Sequence, residues 1–307
     1  MTATGSTRAT LAIVFLCFSV ARALSAPLLV VYPEAPEPYR EAFAQMVDGI
    51  ARATRQPLLQ KVVAPTTTPE ELRGWLGGAG RGEIAVLLGH KALSLYGRDP
   101  PPGRAVVVGG ISAPPGQTPL PGVSLTLDPA LYLQTLRELW PGVRRVVVYC
   151  NAEERPWIAR VERAAAAARI EVESVVVADD FDVARRLATT FDALDPKTTA
   201  LWFGRNTLTL NPDLLYSYAL EQTWDRGIAA FSETVALAKH GLLFALYPDY
   251  AEVGAEIGAL VLQDARPAGL RFSRAARLAL NARTARHLGI APSDALIRRA
   301  KPLFPQP

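Results

Sequence analysis

Two cysteines and three histidines are all that 307 residues contain of the commonest metal-ligating side chains, and that scarcity removes several chemistries at once. His90, His240 and His287 are too far apart for an H-x-x-x-H pair, and Cys17 and Cys150 make no C-x-x-C, so no metal site is expected. Phosphate-loop spacing is missing as well. The glycine cluster Gly77-Gly78-Ala79-Gly80-Arg81-Gly82 precedes an apolar run instead of following one, and it matches neither a Walker A motif nor G-x-G-x-x-G. Gly110-Ile111-Ser112 is half of a nucleophile elbow without its second glycine, which disfavours a hydrolase. Asp179, Asp180 and Asp182 cluster at a strand-to-helix junction, where capping accounts for them better than paired-carboxylate catalysis. The expectation is a protein with no catalytic residue and no cofactor.

A dominant charge sign is absent too. Thirty-three Lys and Arg face 29 Asp and Glu, for a net +4 with no charge block, so nucleic acid is not implied as a partner. No apolar run reaches the ~20 residues a spanning helix needs. The longest, Leu11 to Val20, follows Arg8 and precedes Ala21-Arg22-Ala23, the three-part pattern of a secretory signal peptide. Residues 1–23 are therefore read as a signal peptide cleaved near Ala23 to Ala26, and the mature chain as periplasmic, with 31 basic against 29 acidic residues. Cys17 leaves with that segment. Cys150 remains alone at the end of an apolar run, which excludes an internal disulfide and suits a buried core thiol.

What the sequence does have is alternation. Half of its residues are hydrophobic, and after Pro27 they fall into short apolar runs separated by amphipathic stretches. Leu28 to Tyr32, Leu58 to Val63, Ile84 to Leu88, Ala105 to Val108 and Val123 to Leu127 read as strands. Between the first three lie a helix with Phe43, Met46, Val47 and Ile50 on one face and another opened by the capping box Thr68-Pro69-Glu70-Glu71. A second series follows Asp128-Pro129, with strands at Arg145 to Cys150, Ile170 to Val177, Ala200 to Phe203 and Ile228 to Phe231. Repeated βα units with doubly apolar strands predict α/β architecture: two Rossmann-like lobes with parallel sheets, joined by a multi-crossing hinge. The expected division is residues 27–127 plus about 243–265 for the first lobe and 128–242 plus about 270–307 for the second.

The C-terminal half carries a resemblance. Ile228-Ala229-Ala230-Phe231-Ser232-Glu233, then Tyr247-Pro248-Asp249-Tyr250-Ala251-Glu252-Val253-Gly254, and finally Leu278 to Ile290 (LALNARTARHLGI) resemble the periplasmic substrate-binding proteins of ABC transporters, in particular the tryptophan-type, TrpX-like family. The likeness covers essentially the whole mature chain. It implies a type I periplasmic-binding fold, a small organic solute as ligand, an ABC permease in the inner membrane as partner, and a monomer. One loop departs from the pattern: Gly109 to Gln117 stands where members commonly carry Asp-Pro, so the family's ligand does not carry over.

In open parallel sheets ligands bind beyond the carboxyl ends of the strands, where loops and helix starts present backbone N–H groups. That rule nominates Tyr32, Gly89, His90 and Ser112 from the first lobe, and Asn151, Asn206, Thr207, Ser232 and Glu233 from the second, with Tyr250 on the return segment. Each has an ordinary alternative: sheet-end aromatic for Tyr32, cap or turn for His90, Ser112, Asn151, Asn206, Thr207 and Ser232, cleft-edge aromatic for Tyr250. Glu233 could pair with a ligand amine. Two other functions fit the same residues: a ligand-sensing input protein for a receptor, and a secreted α/β enzyme.

Overall fold

Strands that read as unbroken apolar runs need cover on both faces, and the computed structural model supplies it with helices on either side of two sheets. It describes residues 27–78, 84–97, 104–178, 180–204 and 212–305. The first series is β1 (Leu28–Pro33), α1 (Tyr39–Thr54), β2 (Leu58–Val63), α2 (Pro69–Gly78), β3 (Ala85–Leu88), α3 (Gly89–Tyr96), β4 (Val106–Ile111) and β5 (Gly122–Leu127). The second runs α4 (Pro129–Leu139), β6 (Arg145–Cys150), α5 (Arg155–Ala168), β7 (Glu171–Val176), α6 (Asp180–Ala193), β8 (Thr199–Phe203), α7 (Pro212–Asp225), β9 (Ala229–Ser232), α8 (Val235–His240) and β10 (Phe244–Pro248). The tail adds α9 (Tyr250–Val261), β11 (Leu270–Ser273), β12 (Ala276–Asn281), α10 (Ala282–His287), α11 (Asp294–Arg299) and β13 (Ala300–Phe304).

The first sheet has the order β11-β5-β4-β3-β1-β2 with every pairing parallel. The second has the order β13-β12-β10-β9-β8-β6-β7, parallel except where β10 meets β12. Each lobe thus repeats one doubly wound pattern, and its strand order reverses between β1 and β3 in one sheet and between β6 and β8 in the other. Those reversals are where such folds open a crevice.

Three chain crossings join the lobes. The first lies between β5 and α4, at Leu127 to Asp128. The other two correct the expected division. β10 pairs with β9 and β12, so residues 244–248 belong to the second sheet, and β11 pairs with β5, so residues 270–273 belong to the first. The expected spans 243–265 and 270–307 each lie in a single lobe, but the chain changes lobe inside one and near the start of the other, at Pro248 to Tyr250 and at Ser273 to Ala276. Strand membership depends on pairing partners distant in sequence, which local pattern does not carry.

The crossings are laced together by backbone. Asp128 N–H donates to Ser273 O at 2.8 Å, and Asp249 N–H donates to Ala275 O at 3.0 Å. The side chain of Asp128, 5% exposed, accepts from Ala130 N–H at the start of α4 and pairs with Arg160 at 2.8 Å and Arg274 at 3.4 Å. Burial pushes its carboxyl up, but the Arg160 hydrogen bond, the Ala130 N–H and the two guanidinium charges outweigh that and hold it below its ordinary value. Asp249 caps α9 through Glu252 N–H and pairs with Arg277 at 2.8 Å.

On its return α9 packs against α1 at backbone contact. A Cβ on Gly49 would lie 1.9 Å from Ala251 O, and one on Gly254 would lie 2.1 Å from Met46 O. Only glycine lets two helices meet this closely, and the approach buries Ile50, Val253, Ile257 and Leu260 completely, at about 1.5–3 kcal/mol for each side chain. The second lobe is filled instead by aromatics: Trp202 lies 4.8 Å from Tyr132, 5.0 Å from Trp157 and 5.1 Å from Phe231, centroid to centroid. Among the described residues no helix is long and apolar enough to cross a membrane.

Candidate functional site

A cleft of about 650 Å³ lies between the two lobes where their strand ends meet. The first lobe contributes Pro33 from the end of β1, Tyr39, Phe43 and Met46 from α1, Gly89 and His90 from the start of α3, Gly110 and Ser112 at the end of β4, and Leu125. The second contributes Glu233, Thr234 and Val235 from the β9 to α8 turn and Tyr247 and Pro248 from β10, and Tyr250 stands at the crossing. The wall is thus mostly apolar and aromatic, with an imidazole on one side and a carboxylate on the other. Such a surface suits a small organic molecule held by an apolar body and a few polar contacts.

The β1 to β3 reversal sets the geometry of the first wall. Gly89 (φ +85°) and Gly110 (φ +66°) are both left-handed, and a Cβ on Gly110 would sit 3.1 Å from Gly89 N and 3.3 Å from the Phe43 ring. Glycine at both positions brings two backbones and an aromatic ring together at the cleft floor. The α3 helix begins there, and its N-cap residue, Leu88, makes no side-chain cap hydrogen bond. Gly89 and His90 at this helix start line the cleft, and a helix start is a favourable place for a ligand acceptor or negative charge. Across the cleft α8 also starts without a side-chain cap hydrogen bond from its N-cap residue, Thr234.

Of the nominated residues the structure brings Gly89, His90, Ser112, Glu233 and Tyr250 to one cleft. Three others are placed elsewhere. Tyr32 lies behind the wall, its ring 6.1 Å from Phe43 and its hydroxyl donating to Gln60 Oε1 at 3.0 Å. Ser232 is buried at 1% exposure and its Oγ accepts from Thr234 N–H at 3.1 Å, so it shapes the turn and presents no hydroxyl to the cleft. Asn151 exchanges reciprocal bonds with Glu154, accepting from its N–H at 3.1 Å and donating its own N–H to Oε2 at 2.9 Å, which ties it to the short 3-10 turn before α5. Asn206 and Thr207 lie outside the described residues. Phe43 and Met46 are expected only as part of a helix face and Tyr39 is not singled out by the sequence, although Tyr39 and Phe43 are one turn apart shortly after β1. That spacing beside a predicted strand end was the available signal.

Cys150 lies in the core as expected. Burial, with the negative charges of Glu154 and Glu162, pushes its thiol up to about 11. That shift favours the protonated thiol at neutral pH, the less nucleophilic form. Among the described residues no cluster of three or more His, Cys, Asp or Glu could hold a metal ion.

No family model matches the chain, and no curated protein matches its sequence. Solved structures do match. The ABC domain in complex with L-Trp from Streptococcus pneumonia is 14% identical, covering 90% of this chain and 100% of that one with a TM-score of 0.51. A ligand-free, open substrate-binding protein with adhesive properties from Clostridium difficile is 12% identical, over 87% and 96%, with a TM-score of 0.58. A periplasmic ribose ABC transporter structure from Conexibacter woesei is 11% identical, over 90% and 99%, with a TM-score of 0.52. At these identities the likeness speaks to architecture, and it agrees with the sheet orders above: two parallel-dominated α/β lobes in the type I periplasmic-binding-protein-like fold.

Proposed function

We propose that this chain is an exported solute-binding protein that captures a small organic, amino acid-like solute in the interlobe cleft and hands it to an ABC permease by hinge closure. The observation that carries the reading is the double-sided cleft: an uncapped α3 start and His90 on one lobe face Glu233 and the α8 start on the other. A zwitterion fits this layout, with its carboxylate toward the α3 N–H groups, its ammonium toward Glu233 and its side chain against Phe43, Met46 and Tyr250. Contacts to both lobes favour the closed arrangement over the open one by their difference in affinity, and the closed form is what a membrane partner would read. Residues 1–23 act in this reading as the export signal.

Native mass spectrometry of the protein as purified, followed by thermal melts against a panel of amino acids, tests the proposal. The expected result is a solute recovered unchanged that raises the transition by about 5 °C or more at a hundredfold excess over its Kd, with the effect largely lost in Phe43→Ala. A panel that leaves the transition unmoved, or a solute recovered as a different compound, would overturn it.

A further inference from the structure

A second cavity, about 780 Å³ and so larger than the cleft, runs along the crossings and shares no lining residue with the cleft. Its wall is built from α4, β10, β12, α11 and β13 of the second lobe, and Asp249 and Arg274 complete it from two of the three crossings. Five cationic side chains, Arg274, Arg277, Arg298, Arg299 and Lys301, meet two carboxylates there, Glu138 and Asp249. Three of the five are paired: Arg277 with Asp249, Arg299 with Glu138, and Arg274 with Asp128 behind the wall. Arg298 and Lys301 have no charged partner among the described residues. A concave surface with uncompensated cations concentrates anions and can hold them through charge-assisted hydrogen bonds.

We infer that this groove is a second ligand site, for a small polyanion bearing carboxylate or phosphate groups, and that its occupancy is coupled to the hinge. Arg274 supplies the coupling. Its backbone N–H donates to the Glu256 carboxylate on α9 at 3.1 Å, and its guanidinium reaches Asp128 at 3.4 Å, the longest ion pair at the crossings. An anion seated between Arg298 and Lys301 competes for that guanidinium and so acts on the segment that holds both lobes. By linkage, whatever the anion does to the hinge the hinge returns in anion affinity. The inference does not rest on the identity, or the existence, of a ligand in the cleft.

Calorimetric titration with inorganic pyrophosphate and, separately, with citrate tests it and distinguishes the phosphate from the carboxylate form. Wild-type protein is expected to bind at least one of them saturably. Arg298→Ala/Lys301→Ala is expected to weaken that binding about tenfold or more, whereas Arg163→Ala, an exposed arginine on α5, leaves it unchanged. Both altered residues are exposed, and circular dichroism checks that the variant is folded. Hydrogen exchange at the Asp128 and Asp249 amides, which bridge the crossings, reads the coupling. Bound anion is expected to change their protection in wild-type protein and not in Arg274→Ala. Absence of saturable binding to either anion, equal loss in Arg163→Ala, or binding that leaves both amides untouched would overturn the inference.

Discussion

Helix starts at the crossings and helix starts at the cleft are treated differently by this chain. At the crossings α4 and α9 each begin with an aspartate whose carboxylate accepts an orphan N–H, Asp128 from Ala130 and Asp249 from Glu252, and each aspartate is also paired with arginine. At the cleft the N-cap residues of α3 and α8, Leu88 and Thr234, make no side-chain cap hydrogen bond. A cap contributes about 1 kcal/mol to stability, so the crossings have taken that stabilisation and the cleft has gone without it. The difference separates helix starts filled by side chains at the crossings from the starts that border the proposed ligand cleft. α9 shows both in one helix, with Asp249 filled at the crossing and Tyr250 next to it facing the cleft.

The largest expected effect comes from removing the filled side. Asp128→Ala deletes a cap and leaves Arg160 and Arg274 without their shared carboxylate, and urea denaturation is expected to show a loss of about 2–4 kcal/mol. Asp128→Asn, which keeps the shape, is expected to lose less. The same residue gives a pH arm. Its carboxyl is held below the ordinary 3.8, so its contribution is present in full above that value and is lost as pH falls through the lower, folded-state value. The Asn variant is expected to lie below wild type at pH 6 and to converge on it in strong acid; curves that stay parallel would remove Asp128 from the account.

Gly110→Ala attacks the open side next. The new methyl meets Gly89 N and Phe43 at a left-handed φ, so stability is expected to fall by about 1–2 kcal/mol and solute retention to fall with it. Thr234→Asp sharpens the contrast in the opposite direction by giving α8 a better cap. A rise of about 0.5 kcal/mol with weaker solute retention is expected, and a rise with unchanged retention would mean the α8 start is not part of the site. The smallest effect is a null one: Cys150, buried with its thiol near 11, is expected to resist thiol reagents at pH 8 until the protein is unfolded.

Much of the fold was legible because its strands are buried on both faces. LLVVY, IAVLL and RVVVYC announce themselves as apolar runs, and the Thr68 to Glu71 box forms as written, Thr68 N–H donating to Glu71 Oε2 at 2.9 Å and Glu71 N–H to Thr68 Oγ1 at 3.2 Å. β11 and β13 escaped because LRFS and AKPLF are short and interrupted by charge or proline, and their places depend on partners, β5 and β12, rather than on their own pattern. The lining of the candidate cleft was legible where the strand-end rule and the strand order coincide, at Gly89, His90 and Ser112. It failed at Ser232 and Asn151, where short polar side chains close local turns instead of facing outward, a competition that residue type alone does not resolve.

The return of α9 and β11 to the first lobe fixes an order of assembly. Residues 27–127 build five of that lobe's six strands, but the helix that seals α1 and the strand that closes the sheet edge come from 250–273. A chain emerging N-terminus first therefore keeps its first lobe unfinished, with Val253, Ile257 and Leu260 still missing from its core, until residues 250–273 have been made. Tertiary completion waits on the last contacts in sequence, and these long-range closures make for slow folding.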